Sequence, residues 1–201
     1  MYYLYILFGL TYIIGSYLLG AIPTSAIIAK YKGGFDLTRQ GSGNLGATNV
    51  ARIIGKKFGA ITLVLDALKG FIPVFTAVKL LHFQGLILIP LIALPVVGHC
   101  YSIYINFKGG KGVATALGAF MGISPLAVIV AAVIFFAIVF TSKYVSLASI
   151  VSAFFMPFIM FYFNEDIFVF IGALLVAALI IYKHSANIKR LMEGTEHRFS
   201  R

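Results

Sequence analysis

Two short stretches of this chain combine glycines, cations and polar side chains: "GSGNLGATNVAR", residues 41–52, and "FKGGKGVAT", residues 107–115. Backbone without a Cβ can turn through positive φ and approach a ligand closely, so that successive N–H groups converge on an anion. A helix that starts just after such a turn adds unpaired N–H donors and about half a positive charge. In the second stretch, Lys108, Gly109, Gly110, Lys111 and Gly112 lead into an apolar helical pattern. In the first, Ser42, Asn44, Thr48 and Asn49 offer hydroxyls and amides, and Arg52 offers a planar cation that can grip phosphate through two N–H groups. Singly, such glycines and lysines are ordinary in charged turns between helices. Two such loops on one face point to a phosphate site. Neither is a Walker A loop, because Lys111 is followed by Gly112 rather than a hydroxyl residue. No acidic residue stands near to hold Mg²⁺.

A third polar cluster is "YKHSANIKRLMEGTEHRF", residues 182–199. His184 and Asn187 are three apart and share a helix face, as do Lys183, Asn187 and Arg190. The plain alternative is a collar of solvated charge where a helix leaves the membrane. Ser146 and Ser149 are also three apart, although serines in helices often bond back to their own backbone. Asp66 and Lys69, at the same spacing inside an apolar run, are expected to pair with each other. His99 and Cys100 are neighbours and point apart on a helix, so a thiol–imidazole dyad is not expected; His99 could instead brace the second glycine-rich loop. No Cys/His metal spacing is present.

The elements that must position these groups follow from composition. The chain has 201 residues, of which 61% are hydrophobic and 11% charged. Soluble domains are nearer 45–50% apolar and about 25% charged. An all-α, polytopic membrane bundle is expected, forming one integral membrane domain over residues 1–201. Apolar runs predict seven spans: 4–29, 58–81, 86–104, 113–122, 125–140, 145–163 and 168–182, the fourth of them short. The first reads as a retained span rather than a signal peptide. With the N-terminus outside and the C-terminus cytoplasmic, all but two of the 16 lysines and arginines, Lys69 and Lys79, fall on the inner side, Arg201 in the tail included. Glu165 and Asp166 mark an outer turn. Both glycine-rich loops and the third cluster then share the cytoplasmic face. The net charge of +10 is accounted for by topology and anionic lipid, and nucleic acid is not an expected partner.

Together, "SGNLGATNVAR", "GHCYSIYINFKGGKGVAT" and "KHSANIKRL" resemble the motifs of the bacterial acyl-phosphate:glycerol-3-phosphate acyltransferase family over residues 42–190. Two positions depart from that pattern: Ser102 stands where proline is common, and Lys183 where arginine is common. The resemblance implies a seven-helix enzyme of the bacterial inner membrane, acting as a monomer in phospholipid synthesis. It would transfer an acyl group from acyl phosphate to the 1-hydroxyl of glycerol 3-phosphate, giving lysophosphatidic acid and phosphate. Ser42, Asn44, Thr48, Asn49, Arg52 and the loop with Gly109 and Gly110 would hold phosphate. Lys111, Ser149, His184 and Asn187 would bind glycerol 3-phosphate, with Lys111, His184 and Asn187 as the catalytic set. Acyl phosphate is already activated, so no cofactor, ATP or metal would be required, and the substrate's own phosphate would take the hydroxyl proton. The signature H-x-x-x-x-D of soluble-type acyltransferases is absent: His99 leads to Tyr104 and His184 to Lys189. Two other classes remain open on residues alone: a transporter of organic phosphates or other anions, and a scaffold that gathers anionic lipid. The transporter would use the same basic loops but needs access from both faces.

Overall fold

The computed structural model describes residues 2–164 and 166–198; Glu165 and Arg201 lie outside the described residues. Among the described residues the secondary structure is helical, with no strand. The α-helices are α1 (Tyr2–Ala21), α2 (Thr24–Tyr31), α3 (Ala47–Ile53), α4 (Lys56–Phe75), α5 (Leu88–Cys100), α6 (Val113–Met121), α7 (Pro125–Ser142), α8 (Val145–Asn164), α9 (Ile167–Lys183) and α10 (Ser185–Met192). A π-helical turn, Thr76–Leu80, extends α4.

Local chemistry sets several boundaries. The expected span 4–29 is broken at Ile22–Pro23, where proline has no N–H to continue the ladder, and α2 starts afresh. The expected span 86–104 is helical only to Cys100; Tyr101 leaves helical φ/ψ, and a short 3₁₀ turn, Ile103–Ile105, follows. The short fourth run remains a nine-residue helix, separate from α7. Ser124 caps α7 by accepting the Ala127 N–H, with Pro125 in the first helical position. Asp166 caps α9 through the N–H groups of Phe168 and Val169.

The core runs through α4, α5, α6, α8 and α9. Leu91, Ile92 and Val96 of α5 are fully buried at its centre, while α1, α4, α6 and α9 pack around α5. A helix apolar on every side is stable there because every side meets another helix. The short α6 lies against α4 through small residues. A Cβ on Gly118 would overlap the Ala67 carbonyl, and one on Gly70 would overlap that of Thr115. This close backbone approach is how helices associate in lipid, where burial of apolar surface supplies no drive.

The outside is as apolar as the inside. Leu126, Ile129, Val133, Phe136 and Phe140 of α7, and Phe154, Phe155 and Phe158 of α8, are exposed. Such a surface suits hydrocarbon and marks a membrane protein. Among the described residues, four helical stretches are long and apolar enough to cross a bilayer, Ile6–Tyr31 being one of them despite the interruption at Pro23, or five if the bent pair α9–α10 is one span; Gly85–Cys100 is a shorter apolar helix.

Candidate functional site

The first glycine-rich loop is shaped from within by Asn49. Its side chain is buried, Nδ2 donates to the carbonyls of Leu37 and Gln40 (both 3.1 Å), and Oδ1 accepts the Ser42 N–H (2.9 Å). The amide expected to face substrate therefore has its partners inside the loop. Ser42, Thr48 and Arg52 are exposed and Asn44 is partly so. Ser25 Oγ donates to Leu45 O (3.2 Å), tying the loop to α2.

The second loop needs glycine for two different reasons. Gly112, which precedes α6, has φ of 86° in the left-handed region. Gly109 instead sits on other backbone, and Gly110 on the His99 ring and the Leu45 carbonyl. A Cβ at residue 109 would overlap the His99 carbonyl, and one at 110 would overlap His99 Nε2 and crowd Leu45 O. The two loops therefore touch at Leu45 and Gly110. The Gly110 N–H donates to His99 O (3.2 Å), and Ser102 N–H to Lys108 O (3.2 Å) closes the turn before it. Ser102 also donates its hydroxyl to Ala21 O at the break in the first span, a bond that proline there could not make.

The chain returns to these loops at the junction of α9 and α10, which bends by 55° at His184. Asn187 is buried and accepts from Lys111 Nζ through Oδ1. Asn187 Nδ2 donates to Glu196 Oε1 (2.7 Å), as does Ser146 Oγ (2.8 Å), and Arg190 Nε donates to Glu196 Oε2 (2.7 Å). Ser149 is buried on the same helix as Ser146, but its hydroxyl bonds back to Val145 O (2.9 Å). Lys183 reaches Cys100 O (3.3 Å) and lies over the Tyr101 ring.

Burial is the main cause that brings the Lys111 ammonium down to about 8. Glu196 opposes the shift, and Arg190, Arg52 and Lys183 add to it. One carboxylate thus stands among four mutually repelling cations, a field that favours a further anion. Burial also lowers His184, to about 4, with the Lys111 charge assisting and the bond to the Ile180 carbonyl opposing. His184 Nδ1 lies 2.7 Å from Ile180 O, a group that only accepts, so Nδ1 carries the proton and Nε2 is left as an acceptor. For Glu196, hydrogen bonds from Asn187, Arg190 and Ser146 outweigh the upward push of burial, and its pKa is lowered.

Sequence reasoning missed Glu196 and the engagement of Ser146. No local spacing signals either contact, because Ser146 and Glu196 are 50 residues apart. It paired Asp66 with Lys69 and set His99 against the second loop, but did not bring Thr24 and His99 to the same buried carboxylate. Asp66 and Lys69 do pair, at 2.9 Å.

These features define a helical membrane protein with cations, amides and hydroxyls gathered at the junction of two glycine-rich loops and a bent helix. A sequence model of the family described as glycerol-3-phosphate acyltransferase matches residues 10–194. Relatives called glycerol-3-phosphate acyltransferase include one from Syntrophotalea carbinolica, 43% identical over 93% of this chain and 95% of its own. Another, from Aquifex aeolicus, is 46% identical over 93% and 97%. The fold matches the crystal structure of PlsY, an integral membrane glycerol 3-phosphate acyltransferase, in its glycerol 3-phosphate form (TM-score 0.92, 44% identity, 96% of each chain). It also matches the lysophosphatidic acid form of PlsY (TM-score 0.89, 43% identity, 96% and 95%). The chain belongs to the glycerol-3-phosphate acyltransferase family.

Proposed function

We propose that this protein transfers an acyl group from acyl phosphate to the 1-hydroxyl of glycerol 3-phosphate at the cytoplasmic face of the bacterial inner membrane. The observation that carries this reading is the convergence of Lys111, Asn187, Arg190 and His184 beside both glycine-rich loops. Both substrates bear phosphate, and a cation-rich junction of two loops suits a pair of dianions. Ser42, Asn44, Thr48, Arg52 and the amides of Gly109 and Gly110 hold phosphate, and Asn49 keeps the first loop in shape. Ser149 lines the acceptor side. The acyl chain, which gains about 0.8 kcal/mol per buried methylene, stays in the bilayer.

In the reaction, the 1-hydroxyl oxygen attacks the acyl carbonyl carbon. His184 Nε2 accepts the hydrogen bond of that hydroxyl and orients it. Lys111 and the loop amides stabilise the developing oxyanion and the departing phosphate, and Asn187 holds Lys111. The carbon–oxygen bond to phosphate then breaks, and the phosphate leaves with the hydroxyl proton. Acyl phosphate is an activated carboxyl group, so the transfer draws on no ATP, cofactor or metal. Seven spans, with the N-terminus outside and the C-terminus in the cytoplasm, place the loops on one side; the unit is a single-domain monomer with no nucleic-acid partner.

The test supplies detergent-purified protein with labelled acyl phosphate and glycerol 3-phosphate. Formation of lysophosphatidic acid supports the proposal. No product, with flux of unchanged organic phosphate into liposomes, overturns it in favour of a transporter.

A further inference from the structure

We infer that Asp66 and His99 are a positioning pair that sets the second glycine-rich loop from inside the bundle, an inference that rests on the phosphate-binding role proposed for that loop. Asp66 Oδ1 is the meeting point of three helices. It accepts from the Thr24 hydroxyl of α2, lies 2.9 Å from Lys69 Nζ of α4, and lies 3.5 Å from His99 Nδ1 of α5. All four residues are buried. Lys69 Nζ also donates to Ile22 O (2.9 Å), holding the carbonyl at the break before Pro23.

His99 is the member of this cluster that touches the loop, and it does so twice. Its carbonyl accepts the Gly110 N–H, and its ring places Nε2 directly under Gly110. A carboxylate only accepts, so a neutral His99 that faces Asp66 through Nδ1 keeps its proton there and presents Nε2 as an acceptor toward the loop. A small cavity bordered by Thr24, Lys69, His99, Ser102 and Gly110, and by Ile22 and Leu45 among its apolar lining, lies at this contact. Ionisable groups this deep among membrane helices are costly, and apolar residues would tie three helices together as well. Asp66 Oδ2, moreover, is buried without a hydrogen-bond partner among the described residues. A buried carboxylate oxygen without a partner is not explained by the fastening of helices alone. The cluster therefore does more than fasten helices: it fixes the height and tilt of Gly109 and Gly110 under the phosphate.

The full chain is tested as His99→Gln, Gly110→Ala and the double variant, with Asp66→Asn added. Two readouts are taken: KM and kcat for both substrates, and the thermal shift that inorganic phosphate produces on detergent-solubilised protein. His99→Gln is expected to purify folded, to raise a KM roughly tenfold with a smaller change in kcat, and to shrink the phosphate shift. The double variant is expected to be no worse than the poorer single one, because both act through one loop. Asp66→Asn, if it folds despite leaving Lys69 unpaired, should add little to His99→Gln. A folded His99→Gln protein with unchanged KM and phosphate shift overturns the inference. So do losses that multiply in the double variant, or a His99→Gln chain that fails to fold. A wild-type protein that makes no lysophosphatidic acid refutes the proposed reaction instead, and the phosphate shift still decides the positioning role.

Discussion

Lys111 Nζ donates to Asn187 Oδ1 across 76 residues of chain, joining the second glycine-rich loop to the bend between α9 and α10. The ammonium is thereby held at one point in a partly buried site. Lys111→Ala should lower turnover by about 10²–10³, the scale for loss of one group that stabilises a transition state. Folding should survive, because Lys111 is not in the apolar core. Initial rates and thermal stability of the purified variant check both halves; near-normal turnover would count heavily against the proposed mechanism.

Burial brings the Lys111 ammonium pKa down to about 8, below its ordinary 10.5. Between these values the folded protein holds fewer protons here than the unfolded chain, so stability from this group rises with pH across that window. Phosphate binding runs the other way, since it needs the charged form. The ratio kcat/KM should fall as pH rises through about 8. The limb in kcat should lie at higher pH, because bound phosphate favours the charged form. Lys111→Arg should move the fall upward, since guanidinium keeps its proton. A pH–rate profile of the two proteins checks this.

Glu196 gathers three donors from two parts of the chain: Ser146 of α8 and Asn187 and Arg190 of α10. Glu196→Ala leaves them without their acceptor, and hydrogen bonds to charged groups are worth about 1.5–3 kcal/mol. Arg190 is partly exposed, which favours the lower end. The expected result is a protein less stable by about 1.5 kcal/mol, with Asn187 free to turn away from Lys111 and turnover reduced. Thermal melts and rates beside those of Glu196→Gln measure it.

Gly118 allows α6 to rest on the Ala67 carbonyl of α4. Gly118→Ala puts a methyl group into that backbone, which cannot yield as a side-chain tip would. The strain expected is about 1–3 kcal/mol, and the start of α6, with Gly112 and Lys111 just before it, should shift as well. Lower thermal stability and reduced activity together are expected. A variant that melts like the parent would show that the helices can separate without loss.

Parts of the site were legible because they are local. Glycines, cations and amides within "GSGNLGATNVAR" and "FKGGKGVAT" announce loops that can face an anion. The direction in which Asn49 points was not legible. An amide in a loop can face ligand or backbone, and the carbonyls of Leu37 and Gln40 are brought to it only by folding. Glu196 reads as a solvated tail acid until the chain returns to Ser146. The end of α5 was obscured because a helix apolar on every side carries no periodicity to mark where it stops. The break at Ile22–Pro23 was signalled by proline, but the unbroken apolar run around it reads as one span.

Sequence alone determined that this chain is helical and lives in lipid, since 61% hydrophobic residues in long runs leave no other way to satisfy the backbone. It also determined that polar groups would collect in short glycine-bearing loops. Only the tertiary structure decided which of those groups meet. The contacts of Lys111 with Asn187, Ser146 with Glu196, and Gly110 with His99 depend on helix crossing points and on the bend at His184. Crossing points are set by glycines that let a facing backbone approach and by buried carboxylate partners, and neither has a period that a linear reading can detect.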